Sequence, residues 1–179
     1  MPEGPEIRRV ADRIGKLLVN SEIIQSNFYY PRLEKKAKIV KNKKIKEVTS
    51  KGKALLIRFV NGWSMYSHNQ LYGRWTVNLK TTAIKSNRTL RVSFMTNKHI
   101  VRLWSATEIE LIKTSEEAEH PFLRRIGPDV LSESCNTELI EKRLMSKNFK
   151  KKKASSLMLD QSLFAGIGNY LRSEILFDA

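Results

Sequence analysis

A single cysteine, Cys135, in 179 residues excludes a disulfide framework and any cysteine-rich metal site, and it suits a reducing compartment. Histidine is nearly as scarce. His120, in His120-Pro121-Phe122, has no His or Cys partners at metal-ligand spacing and reads as a turn residue rather than a ligand. No apolar run reaches the ~18 residues a membrane span requires, and a charged amino terminus interrupted by Pro2 and Pro5 is neither a secretory signal nor a span. Internal repeats are absent. The last shortage is of carboxylates: 18 Asp and Glu stand against 33 Lys and Arg, a net charge of +15. Such a surplus favours a polyanionic partner, nucleic acid bound by counterion release. The plain alternative is lysine as surface filler, which would cover runs such as Lys150-Lys151-Lys152-Lys153.

What is present divides the chain in two. Pro5 fits the first turn of a helix, where its missing N–H costs nothing, and Glu6 complements the positive end of the dipole. Ile7, Val10, Ala11, Ile14, Leu17 and Leu18 then fall on one helical face. Short β-rich runs follow at Ile45 to Thr49, Ala54 to Val60, Trp63 to Ser67, Arg74 to Leu79, Leu90 to Met95 and His99 to Trp104, with Asn61-Gly62 as a hairpin signal. Strands at this spacing predict a sandwich or barrel. Residues 80–89 read as a polar loop, and after about Glu108 the strands are expected to stop. Turn signals mark 115–135 as a connector. Thr137 is expected to cap a helix through Met145 with Leu139, Ile140 and Leu144 inward, and a second helix is expected from about Lys152 to Gln161.

Three stretches carry chemistry. In Met1-Pro2-Glu3-Gly4-Pro5-Glu6, removal of Met1 would leave the Pro2 nitrogen as a free secondary amine. An α-amino group has a pKa of about 8, so a usable fraction is unprotonated at neutral pH. Attack on an aldehyde would give a permanently charged iminium, an electron sink, and Glu3 beside it is a carboxyl able to carry protons. Gly166-Ile167-Gly168-Asn169, ahead of a helix, could offer backbone N–H groups and the Asn169 amide to a phosphate, although a two-glycine turn needs no ligand. Between two strands, His68-Asn69-Gln70-Leu71-Tyr72-Gly73 could wedge into a duplex and fill the gap left by an extruded base, or fold back on the core.

Taken together, Pro2-Glu3-Gly4-Pro5-Glu6, Lys53 in Lys51-Gly52-Lys53-Ala54, Ser67 to Gly73, His120-Pro121-Phe122-Leu123, Gly127-Pro128-Asp129, and Leu159-Asp160-Gln161 with Gly166 to Leu171 resemble the formamidopyrimidine-DNA glycosylase and endonuclease VIII family. The resemblance covers essentially the whole chain and is closest to the bacterial endonuclease VIII branch, whose wedge loop reads Gln-Leu-Tyr. It implies an α+β fold: an N-terminal helix on a β-sandwich at 1–114, a connector at 115–135, and an incomplete helix-two-turns-helix module at 136–179. It also implies a base-excision repair glycosylase with abasic-site lyase activity, acting on oxidised pyrimidines by β,δ-elimination without a cofactor. Pro2 would be the nucleophile, Glu3 the proton carrier and Lys53 a catalytic, phosphate-contacting lysine. His68, Gln70, Leu71, Tyr72 and Asn169 would contact DNA, with Glu6, Asp160 and Glu174 as supporting acidic groups. The implied partner is double-stranded DNA bearing oxidised bases or abasic sites, met by a monomer in the bacterial cytoplasm at the nucleoid. One departure stands out. The family continues into a four-cysteine zinc finger that one cysteine cannot form, so the expectation is a chain without that finger. A fragment is favoured over a reduced active form, and the alternative function is a non-catalytic remnant that binds damaged DNA. Apolar surface is expected at Leu171, Ile175 and Leu176.

Overall fold

Helix α1 (Gly4–Leu18) begins with Pro5 in its first turn and sinks Ile7, Ala11, Ile14 and Leu18 into the protein, as the period of its apolar residues requires. The computed structural model describes Met1–Ala179 throughout. Eight strands follow the helix, with a single helical turn, α2 (Ala37–Val40), between the first two, and they form two antiparallel four-stranded sheets. One holds β1 (Gln25–Phe28), β6 (Leu90–Met95), β7 (His99–Trp104) and β5 (Arg74–Leu79) in that order. The other holds β2 (Ile45–Lys51), β3 (Ala54–Phe59), β4 (Trp63–His68) and β8 (Glu108–Lys113).

Between the sheets lies a core to which α1 adds its buried face. Phe94 from β6 joins the layers, meeting Phe28 edge-on at 5.6 Å and Phe59 of the opposite sheet at 5.7 Å. The near-continuous apolar run of β3 has a physical cause: Leu55, Ile57 and Phe59 face this core, while Ala54 and Leu56 face a second cluster with Tyr66 and Leu123. That outer face is covered by α3 (Pro121–Arg125), so β3 is buried on both sides.

Two strands lie outside those expected. β1 is a four-residue piece, and β8 corrects the expectation that strands end near Glu108. Its Glu108, Glu110 alternate with Ile109 and Leu111, which are 1% and 3% exposed, and it pairs with β4 along its length. The charged outer residues mask a half-buried strand.

The helical part is less regular than expected. Helix α4 (Thr137–Leu144) is capped by Asn136, whose Oδ1 accepts from Leu139 N at 2.9 Å, rather than by Thr137. Ile140 and Leu144 pack inward on a small cluster of Phe149, Leu157, Leu163, Phe164 and Ile167, but Leu139 is not among them. The helix expected from Lys152 to Gln161 shrinks to α5 (Ala154–Leu157). Asp160 explains the stop, because its carboxylate bonds Ser162 N at 3.0 Å and competes with helix continuation. Helix α6 (Asn169–Asp178) leaves Ile175, Leu176 and Phe177 exposed, whereas Leu171, also expected at the surface, is half-buried against the small cluster.

Candidate active site

The start of α1, the β2–β3 turn and the start of α6 meet at three glycines. Gly4 N donates to Gly166 O at 2.8 Å, and a Cβ on Gly4 would stand 3.0 Å from the Gly166 Cα. Gly52, at φ +57 in the turn, donates to Asp129 Oδ2 at 2.7 Å, and its Cβ would come within 2.9 Å of the Ala165 side chain. Both positions need glycine for close approach, and Gly52 needs it for its left-handed backbone as well. Gln161 shapes the third element, accepting from Gly166 N at 3.1 Å and donating to Ile167 O at 2.8 Å.

Glu3 fastens this junction. It is 4% exposed, and its carboxylate accepts three backbone bonds from the start of α6: Gly168 N at 2.8 Å and Leu171 N at 3.3 Å to Oε2, and Tyr170 N at 3.0 Å to Oε1. These are the orphan donors of a helix N-terminus, where negative charge is favoured. Residue 3 thus caps a helix 165 residues further along. Glu6 supports it from α1, accepting from Glu3 N at 2.8 Å and from the Tyr170 hydroxyl at 2.9 Å. The Pro2 nitrogen, one residue before Glu3, is therefore tethered by both chain ends of the fold.

Lys53 is half-buried beside this centre. Burial lowers the pKa of its ammonium, and the nearby Glu3 charge pulls it partly back up. His68, at the end of β4, is 6% exposed and accepts from Gln70 N through Nδ1 at 3.1 Å. Burial lowers its pKa from the ordinary 6.5, opposed by Glu108 and reinforced by Lys53. An unfolded chain therefore takes up the proton before the folded one, so stability falls as pH drops through 6.5 towards the folded value and is unaffected above it. The expected result is a thermal midpoint that declines as pH falls through and below 6.5, with His68→Gln removing part of that decline.

Beyond His68 the loop turns outward. Gln70, at φ +50, donates to Glu108 Oε1 at 2.6 Å, and Leu71 and Tyr72 stand 63% and 68% exposed. The alternative in which they fold onto the core is not what the chain adopts. The N–H groups expected to hold phosphate at the glycine turn are instead engaged by Glu3, leaving the exposed Asn169 side chain without a protein partner. Asp160 is turned to its own loop, paired with Lys152 at 3.0 Å, and Glu174 is exposed on α6. His120 is buried, caps α3 by accepting from Phe122 N at 3.3 Å, and stacks on Tyr66 at 4.2 Å. The sequence reading missed Asp129 and Gln161 as the side chains that hold the junction, because both act through backbone bonds to distant residues.

Comparison with known proteins decides what this arrangement belongs to. Residues 1–108 match the model of the formamidopyrimidine-DNA glycosylase N-terminal domain. The chain is similar to Endonuclease 8 of Klebsiella pneumoniae strain 342, with 42% identity over 177 residues covering 99% of this chain and 67% of that protein. This chain belongs to the formamidopyrimidine-DNA glycosylase and endonuclease VIII family. Endonuclease 8 of Pectobacterium carotovorum is 41% identical over 179 residues, all of this chain and 68% of its own length. Family members solved by crystallography share the fold: the Lactococcus lactis formamidopyrimidine-DNA glycosylase in complex with DNA containing N7-benzyl-Fapy-dG aligns with TM-score 0.79 at 24% identity, over 98% of this chain and 66% of that one. The same enzyme bound non-covalently to DNA with an abasic site aligns with TM-score 0.78. The chain thus spans about two thirds of the length of the family members it matches.

Proposed function

We propose that the chain is a DNA repair glycosylase with abasic-site lyase chemistry directed at oxidised pyrimidines. The observation that carries this reading is the buried Glu3 carboxylate, locked to the start of α6 beside the Pro2 nitrogen. Once Met1 is removed, that nitrogen attacks C1′ of the deoxyribose, and the bond to the damaged base breaks as the base leaves. Glu3 takes up the proton that the Pro2 amine sheds on attack and passes it to O4′ as the sugar ring opens, while the departing base anion is protonated from water. Glu3 Oε2 already accepts two N–H bonds and Oε1 only one, so Oε1 keeps the lone pair that can carry the proton. Ring opening leaves the iminium. Loss of a C2′ proton then expels the 3′ phosphate, a second elimination expels the 5′ phosphate, and water releases Pro2.

Lys53, half-buried and with a lowered pKa, meets a phosphate flanking the reacting sugar in this reading. Gln70, Leu71 and Tyr72 fill the stack vacated by the flipped base, at a cost of a few kcal/mol for extrusion. On this reading 1–114 carries the chemistry, and 136–179 brings DNA to it through Asn169. The test uses duplexes carrying an abasic site or an oxidised pyrimidine. Strand scission leaving phosphate on both ends is expected with each. Salt-sensitive binding without scission would instead favour a remnant that only recognises damage, and scission of the abasic duplex alone would restrict the chain to lyase chemistry.

A further inference from the structure

Next to the wedge loop is an open cleft of about 380 Å³ lined by Tyr72, Asn87, Arg88, Arg91 and Ser105. A second cavity of about 350 Å³ adjoins it, sharing Asn87 and Arg88 and adding Arg74 and Lys85. No carboxylate lines either, and none of these cations is in an ion pair.

Two backbone irregularities shape the cleft. Leu90 pairs with Trp104 and Val92 with Leu103, so Arg91 is the extra residue of a β-bulge, a device that re-aims a side chain. Ser105, on the facing side, adopts φ +50, an uncommon conformation for a residue with a side chain. The bulge sets the Arg91 guanidinium 5.5 Å from the Tyr30 ring centre, with Arg32 at 5.0 Å from the same ring. Arg91 Nε is buried and has no acceptor. Stacking fixes a guanidinium in place without neutralising it and leaves its N–H fork free to meet two oxygens at once. Holding two guanidinium groups on one ring without an acid costs repulsion that an incoming anion relieves. Arg88 meanwhile donates to the Tyr72 carbonyl, which ties the cleft to the wedge.

We infer that this cleft seats a backbone phosphate of the duplex beside the wedge loop, gripped by the fork of Arg91 with Arg88 as a second cation. The inference rests on the glycosylase reading for its partner, not for its geometry. It gives the otherwise unassigned 80–89 loop a role, as the wall that carries Lys85, Asn87 and Arg88.

The test is binding of a duplex containing a stable abasic-site analogue, measured by fluorescence anisotropy over a range of salt. Arg91→Gln is expected to lower the slope of log affinity against log salt by about one. Its deficit relative to wild type should shrink by about threefold between roughly 50 and 200 mM salt. Arg91→Lys keeps a charge and should keep the slope, while binding more weakly at any one salt concentration because the fork is lost. A slope for Arg91→Gln equal to that of wild type, in protein whose thermal midpoint is also wild type, would overturn the inference. Absence of wild-type binding at every salt concentration would overturn both the cleft and the glycosylase reading.

Discussion

Substituting Pro2 by glycine, or leaving Met1 in place, is expected to lower borohydride trapping of the chain on abasic-site DNA by a thousandfold or more, on the order seen when an enzyme loses its nucleophile. The two variants fail for different reasons. Retained Met1 turns the Pro2 nitrogen into an amide, which has no lone pair to donate. Glycine keeps an amine but a primary one, free to rotate where the proline ring fixes the nitrogen next to the buried Glu3. Neither change touches the core, so both proteins should melt as wild type does. Gel quantification of the trapped complex, against that melting control, separates lost chemistry from lost fold.

The second large effect comes from a residue with no reactive group. Gly168 has φ −128, which any residue adopts, so its requirement is purely one of space. A Cβ there would lie 2.2 Å from Glu3 Oε1 and 2.3 Å from Glu3 Cδ. Gly168→Ala must therefore push either the carboxylate or the start of α6 away, and it breaks the three bonds that join them. Destabilisation of about 1–3 kcal/mol is expected from the overpacking. Trapping should fall by about a hundredfold, the scale of a small misplacement near the reacting centre. A variant that loses stability but traps at the wild-type rate would show that the Glu3–α6 junction is structural only.

The contrast between these two residues shows where sequence reasoning reaches. Local patterns were legible: the Pro5 helix start, the apolar period from Ile7 to Leu18, and the Asn61-Gly62 hairpin all depend on neighbours a few residues apart. The motif at Pro2 and Glu3 was legible as chemistry. What Glu3 does in the fold was not, since its partners lie 165 to 168 residues away and are backbone N–H groups, which every sequence possesses. β8 escaped notice because its exposed glutamates outweigh the two inward residues, Ile109 and Leu111. The Arg91 bulge was equally hidden, because it is defined by register against β7 and leaves no mark in composition. Asp160 was read as a helix residue near the site, and the Ser162 bonds that turn it back are a local pattern that could have been recognised.

In the proposed mechanism the Pro2 nitrogen, held by Glu3, is the attacking group. Lys53 is its natural rival, a half-buried amine whose lowered pKa would also suit attack on an aldehyde. Peptide mapping of the borohydride-trapped complex by mass spectrometry distinguishes the two directly. The reduced deoxyribose adduct is predicted on the N-terminal peptide, at Pro2, with Met1 absent. An adduct on Lys53, or on any residue other than Pro2, would contradict the claim.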